Sequence, residues 1–130
     1  MKISETQIIL YVANQAMSGN FYRALLAKEP ELDVPGMTEF RLSNNCKLGL
    51  MPADGIKRLL GNSIPDTTNR GNFPGAELYL MVENSDEAMA HALKTGAVLL
   101  DAVSNRDWGH RVGYVSDPDG YVIAFAQNNP

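Results

Sequence analysis

Gln7, Ile9 and Tyr11 alternate along one stretch of the chain, and Glu77, Tyr79 and Met81 alternate along another. Residues two apart on a strand share a face, so each set offers a polar anchor beside an aromatic or apolar surface. Trp108, Arg111, Tyr114 and Tyr121 follow downstream and add rings and a cation. Aromatic surface with a few polar anchors is how small-molecule sites are generally lined. Within this set Glu77 could hold a cationic group, and the rings could attract one through their π-faces. In a dry, unpaired place the Glu77 carboxyl would have a raised pKa and could act as an acid or base without metal, which makes it the candidate catalytic residue. Each residue also has a plainer reading. Tyr11, Tyr79 and Met81 could be core, Trp108 could pack a hairpin, and Arg111 could pair with Glu77, Asp107 or Glu39. The lone cysteine, Cys46, reads as a packed thiol and excludes an intrachain disulfide.

The elements that must position these residues occur twice. Shifted by 70 residues, Gln7-Ile8-Ile9-Leu10-Tyr11-Val12-Ala13-Asn14 falls on Glu77-Leu78-Tyr79-Leu80-Met81-Val82-Glu83-Asn84. Both stretches read as a strand running into a helix, the signature of a duplicated module. In the first module, residues 6–13 read as a strand, with Asn14 as a helix cap. Met17, Phe21, Leu25 and Leu26 form an apolar helical stripe that Pro30 ends. Strands follow near 31–36, 38–43 and 46–51, with an Asn44-Asn45 turn before the last. In the second, residues 76–83 form a strand and Ser85 caps a helix that has Asp86 and Glu87 in its first turn. Lys94 sits in the last turn and Gly96 at the C′ position. Strands at 97–103 and 111–116 follow. Asp117-Pro118-Asp119-Gly120 fits a type I turn into a return strand at 121–127. The fold class is therefore α+β: two βαβββ modules in tandem, about 4–52 and 76–127 of a single domain spanning 1–130. They would form a curved eight-stranded mixed sheet with helices outside. Residues 53–75 are the linker, rich in proline and glycine, with one short helix suggested by Ile56, Leu59 and Leu60. A connector of this length reads equally as a lid or as a plain tether.

Bulk composition narrows the function classes. A net charge of −4 and a pI near 5.0 disfavour nucleic acid and anionic membrane surfaces. Apolar runs are only a strand long, and no long apolar segment follows Met1-Lys2-Ile3-Ser4-Glu5, so neither a membrane span nor a signal peptide is expected. The expectation is a cytoplasmic protein.

The repeated module, the Phe21-Tyr22-Arg23-x-Leu25-Leu26 helix, and Trp108-Gly109-x-Arg111 followed by Asp117-Pro118-Asp119-Gly120 together resemble the vicinal oxygen chelate superfamily. That superfamily includes glyoxalase I, bleomycin-resistance proteins, fosfomycin-resistance enzymes and extradiol dioxygenases. The resemblance implies metal-ligand positions at Gln7, Gly49, Glu77 and Ala124. Gly49 and Ala124 carry no donor, whereas a catalytic zinc site wants about three protein ligands. No cofactor is therefore expected, and a divalent metal is the minor alternative. The resemblance is closest in site character to the metal-free bleomycin-resistance branch, which implies binding of a small organic molecule, a drug or metabolite, in a concave pocket. The competing implication is a lactoylglutathione lyase-like or dioxygenase-like enzyme. The resemblance also implies a homodimer, in some members with exchanged modules.

Overall fold

The computed structural model describes residues 1–66 and 74–129. They belong to two compact units, Met1–Gly71 and Asn72–Pro130. In the first, β1 (Thr6–Val12) turns Leu10 and Val12 inward and leaves Ile9 and Tyr11 exposed, as a period of two requires. Asn14 then caps α1 (Gln15–Leu26), its side-chain oxygen accepting from Met17 N at 3.0 Å. The buried stripe of α1 is Ser18, Phe21, Tyr22 and Leu25, while Met17 is 50 % exposed. The stripe is rotated from the expected one: the small residues Ser18 and Gly19 are buried, and Gly19 lies beside Thr38. The helix stops at Leu26, ahead of Pro30, because Ala27 adopts the left-handed conformation with φ 53°.

β2 (Leu32–Val34), β3 (Met37–Ser43) and β4 (Cys46–Pro52) complete the sheet in the order β1-β4-β3-β2, with Asn44-Asn45 turning the β3–β4 hairpin. β1 runs parallel to β4 and the other pairs are antiparallel. The linker begins with α2 (Ala53–Leu60), as Ile56 and its neighbours suggested, followed by a 3-10 turn, Gly61–Ser63. Ile56 is buried and Leu59 points to solvent. The linker stretch 67–73 lies outside the described residues.

The second module repeats the plan with β5 (Glu77–Met81), α3 (Ser85–Lys94), β6 (Val98–Asn105), β7 (His110–Ser116) and β8 (Val122–Asn128), in the order β5-β8-β7-β6. Here the cap is Asn84, not Ser85: Asn84 Oδ1 accepts from Glu87 N at 3.1 Å. Ser85 is instead fully buried, and its backbone N and hydroxyl both donate to Gln127 Oε1, which ties α3 to β8. The aligned asparagines thus do the same work in both copies. Gly96, at φ 104°, follows the helix end as expected. The turn after β7 closes with Gly120 N donating to Asp117 O at 3.0 Å. Asp117 Oδ1 also accepts from Asp119 N and Tyr121 N. The eight strands are hydrogen-bonded as two four-stranded mixed sheets, one per module, each with a helix on one face. Among the described residues no helix is long and apolar enough to cross a membrane.

Candidate functional site

The second sheet's face opposite α3 gathers the largest share of the candidate residues. Tyr79 on β5 lies opposite Ala124 on β8, and Ala124 lies opposite Tyr114 on β7. Two tyrosines therefore flank a methyl group in the middle strand. They are partly buried against a floor of Val112, Ala124 and Ala126, each fully buried. Glu77 precedes Tyr79 by two residues on the same strand, is exposed, and faces the same way. At the other end, His110 begins β7 in line with Val112 and Tyr114. Tyr79 Oη accepts from Trp108 Nε1 at 2.9 Å and lies 2.6 Å from His110 Nδ1. The Tyr79 and His110 rings are 5.7 Å apart. Arg106 stacks its guanidinium 5.3 Å from the Tyr114 ring centre while pairing with Asp101 at 3.0 Å and donating to Val112 O. Burial pushes the Tyr114 phenol up, and the nearby Glu77 carboxylate adds to the shift against the opposing Arg106.

Several expected members lie elsewhere. Arg111 sits one residue from His110 and so points to the helix side, where it binds Asp86 of α3 at 3.0 and 3.1 Å. It pairs with none of Glu77, Asp107 or Glu39. That pairing raises the Arg111 pKa and holds the Asp86 carboxyl below its usual range. Tyr121 follows the turn that ends β7, whereas Trp108 precedes that strand, so the whole length of the β7–β8 hairpin separates them. Met81 is exposed on β5. Glu77 is exposed too, so the burial its acid–base role would need is not present. His110, Arg106 and Asp101 were not singled out from sequence. The parity of His110 with Val112 and Tyr114 was the available signal for the first.

The equivalent face of the first module holds Gln7, Ile9 and Tyr11 on β1. Gly49 lies opposite Ile9, just as Ala124 lies opposite Tyr79, which places the two side-chain-poor positions at matching points of the repeat. The room left by Gly49 is taken by the Gln7 amide, whose Nε2 sits 2.6 Å from where a Cβ would be. Gln7 Nε2 donates to Glu39 Oε2 at 2.8 Å, and Lys47 Nζ approaches Glu39 at 3.6 Å. The four family ligand positions thus supply a committed amide, no side chain at Gly49, an exposed carboxylate, and a buried methyl at Ala124. Among the described residues no group of three or more His, Cys, Asp and Glu stands where it could hold a metal. These residues do not fit a chelated metal.

A cleft of about 530 Å³ lies on the helix side of the first module, lined by Gln15, Asn20, Arg23, Asp33 and Thr38 among others. These side chains already hold hydrogen bonds within the protein. Gln15 Nε2 donates to Val34 O and Thr38 Oγ1, Gln15 Oε1 accepts from Gly36 N, and Arg23 is bound to Glu29 and Asn20. The face around Tyr79, with the exposed Glu77 carboxylate beside two partly buried rings, has more to offer a ligand.

A family model described as "Glyoxalase-like domain" matches residues 6–128. An uncharacterized protein of Mycobacterium bovis, Mb0911c, is 31% identical over 78 residues, which are 60% of this chain and 51% of that protein. The matched stretch thus spans about half the length of this curated relative. Among solved structures, a glyoxalase-related enzyme from Fulvimarina pelagi superposes with a TM-score of 0.79 at 22% identity, covering 94% of this chain and 86% of that one. A lactoylglutathione lyase from Agrobacterium tumefaciens superposes with a TM-score of 0.70 at 18% identity, covering 93% and 90%. At these identities the superpositions speak for the fold alone.

Proposed function

This chain belongs to the glyoxalase-like domain family, and from that premise we propose that it binds a small organic molecule without metal, on the second sheet's face around Tyr79. The observation that carries this reading is the pair Tyr79 and Tyr114 flanking Ala124, with the exposed Glu77 carboxylate two residues from Tyr79. Rings beside a lone carboxylate suit a cation carried on an aromatic or arylalkyl body, held by ion pairing at Glu77 and by the ring faces. The same reading takes the protein as a homodimer. Light scattering that reports a monomer at every concentration would remove that part.

The competing reading, a lyase-like or dioxygenase-like enzyme, lacks donors at Gly49 and Ala124. Trp108 is the chain's one tryptophan and donates to Tyr79, so its fluorescence reports occupancy directly. Titration with arylalkyl ammonium compounds is expected to give a saturable change, weakened about tenfold in Glu77→Gln by loss of the charge pair. No saturable change with any of them sinks the binding reading. Metal-dependent turnover of a glutathione hemithioacetal that is lost in a Gln7→Ala/Glu77→Ala double variant would replace it with the enzyme reading.

A further inference from the structure

The Trp108–Tyr79–His110 contacts say which kind of hydrogen-bonding group the site accepts. An indole N–H can only donate, so one lone pair of Tyr79 Oη is committed to Trp108 at 2.9 Å. The contact on the other side, 2.6 Å to His110 Nδ1, is shorter than an N–H···O bond usually is and suits a phenolic O–H as the donor. Neutral His110 then carries its proton on Nε2 and takes the Tyr79 proton into a hydrogen bond at Nδ1. What remains on Tyr79 is one oxygen lone pair. Glu77, on the same strand face, also offers only lone pairs at neutral pH. The site thus presents acceptors and no donor from these two groups.

We infer that His110, acting through Tyr79, is a positioning residue that fixes Tyr79 Oη as an acceptor for a hydrogen-bond donor on the ligand, an organic ammonium above all. The inference rests on the binding reading above and names the group that site selects. Without an acceptor at His110 Nδ1, the Tyr79 hydroxyl would be free to swing out as a donor, and an ammonium ligand would lose its acceptor there. Tyr79 from β5 bonds His110 and Trp108 from the preceding loop bonds Tyr79, while Asn128 of β8 is the register partner of His110. Arg111 is turned to Asp86 on the helix side, and Arg106, over the Tyr114 ring, is paired with Asp101.

The test has two readouts. The chain has two histidines, so His91→Gln leaves His110 as the single imidazole in a long-range nitrogen–proton NMR spectrum. At about pH 8, where imidazole is ordinarily neutral, the expected pattern is a bare, hydrogen-bonded Nδ1 and a protonated Nε2, and the Nδ1 signal moves in Tyr79→Phe. A proton found on Nδ1 at that pH overturns the inference. The second readout is the affinity for phenethylammonium, with 3-phenylpropionate as the anionic counterpart. The ammonium is expected to bind about tenfold tighter than the carboxylate, and His110→Leu to narrow that preference about threefold. His110→Gln, whose amide oxygen can still accept the Tyr79 proton, should restore part of it. A preference unchanged in His110→Leu overturns the inference. Absence of ammonium binding instead overturns the ligand class proposed above, and the nitrogen spectrum still decides the proton's position.

Discussion

Gly49 carries more of the first module's character than its size suggests. A Cβ there would lie 2.6 Å from Gln7 Nε2, 3.1 Å from Ile9 Cγ1 and 3.2 Å from Met37 Sδ. Any side chain at this position must expel the Gln7 amide, which is the flexible end of its chain, and press on Ile9, which is stiff at its branch. Gly49→Ala is therefore expected to break the Gln7–Glu39 hydrogen bond and to cost about 1 kcal/mol in urea unfolding. An unchanged midpoint together with an unmoved Gln7 amide resonance would contradict this. The same packing explains why a donor at Gly49 is incompatible with Gln7 in its present place. A chelating residue would need both positions rebuilt.

Among the elements, α3 packs closely on its sheet at Gly113 on β7. There an added Cβ would meet Met89 Cγ at 2.7 Å, Met89 Sδ at 2.8 Å and Val103 Cγ2 at 2.8 Å. Gly113 is needed for this approach, not for an unusual backbone conformation. Met89 is 5% exposed, so its side chain would have to shift within a packed core. Gly113→Ala should therefore cost about 2 kcal/mol by forcing helix and strand apart, more than the loss at Gly49. Thermal unfolding of the two variants side by side checks the order, and a Gly113→Ala protein as stable as its parent would refute the account. β7 sits behind both Tyr114 and His110, so the variant also reports on the site: its Trp108–Tyr79–His110 contacts should loosen.

At the scale of the whole molecule, each module has, among the described residues, a carboxylate whose pKa is lowered by an arginine hydrogen bond: Glu31 by Arg41, and Asp86 by Arg111. A folded-state pKa below the unfolded one stabilises the fold at pH values above the unfolded carboxyl range, around pH 4. That contribution disappears as pH falls through the lowered folded value. Both pairs are solvent-exposed, so each effect is small and screened by salt. Asp86→Asn should lower the unfolding temperature at neutral pH, and the gap to the parent should close as pH falls toward about 2. A gap that persists unchanged at that pH would show that Asp86 acts by packing or capping and not by charge.

Local order was legible in the sequence because it depends on residues a few positions apart. The 70-residue repeat, the asparagine cap at Asn14, the Asp117-Pro118-Asp119-Gly120 turn and the face shared by Glu77 and Tyr79 all follow from spacing along one segment. Even the exclusion of Arg111 from the face of Tyr114 was there, since residues three apart on a strand point opposite ways. Partners were not legible. Asp86 for Arg111, Gln127 for Ser85 and His110 for Tyr79 are 25, 42 and 31 residues distant. Tyr79 and His110 meet only because the strand order β5-β8-β7 inserts a late strand between two earlier ones and places the small Ala124 between the tyrosines. The sequence by itself determined which elements form and which residues share a face. The tertiary structure alone decided which faces meet, because strand order and helix approach are set by contacts that no local spacing encodes.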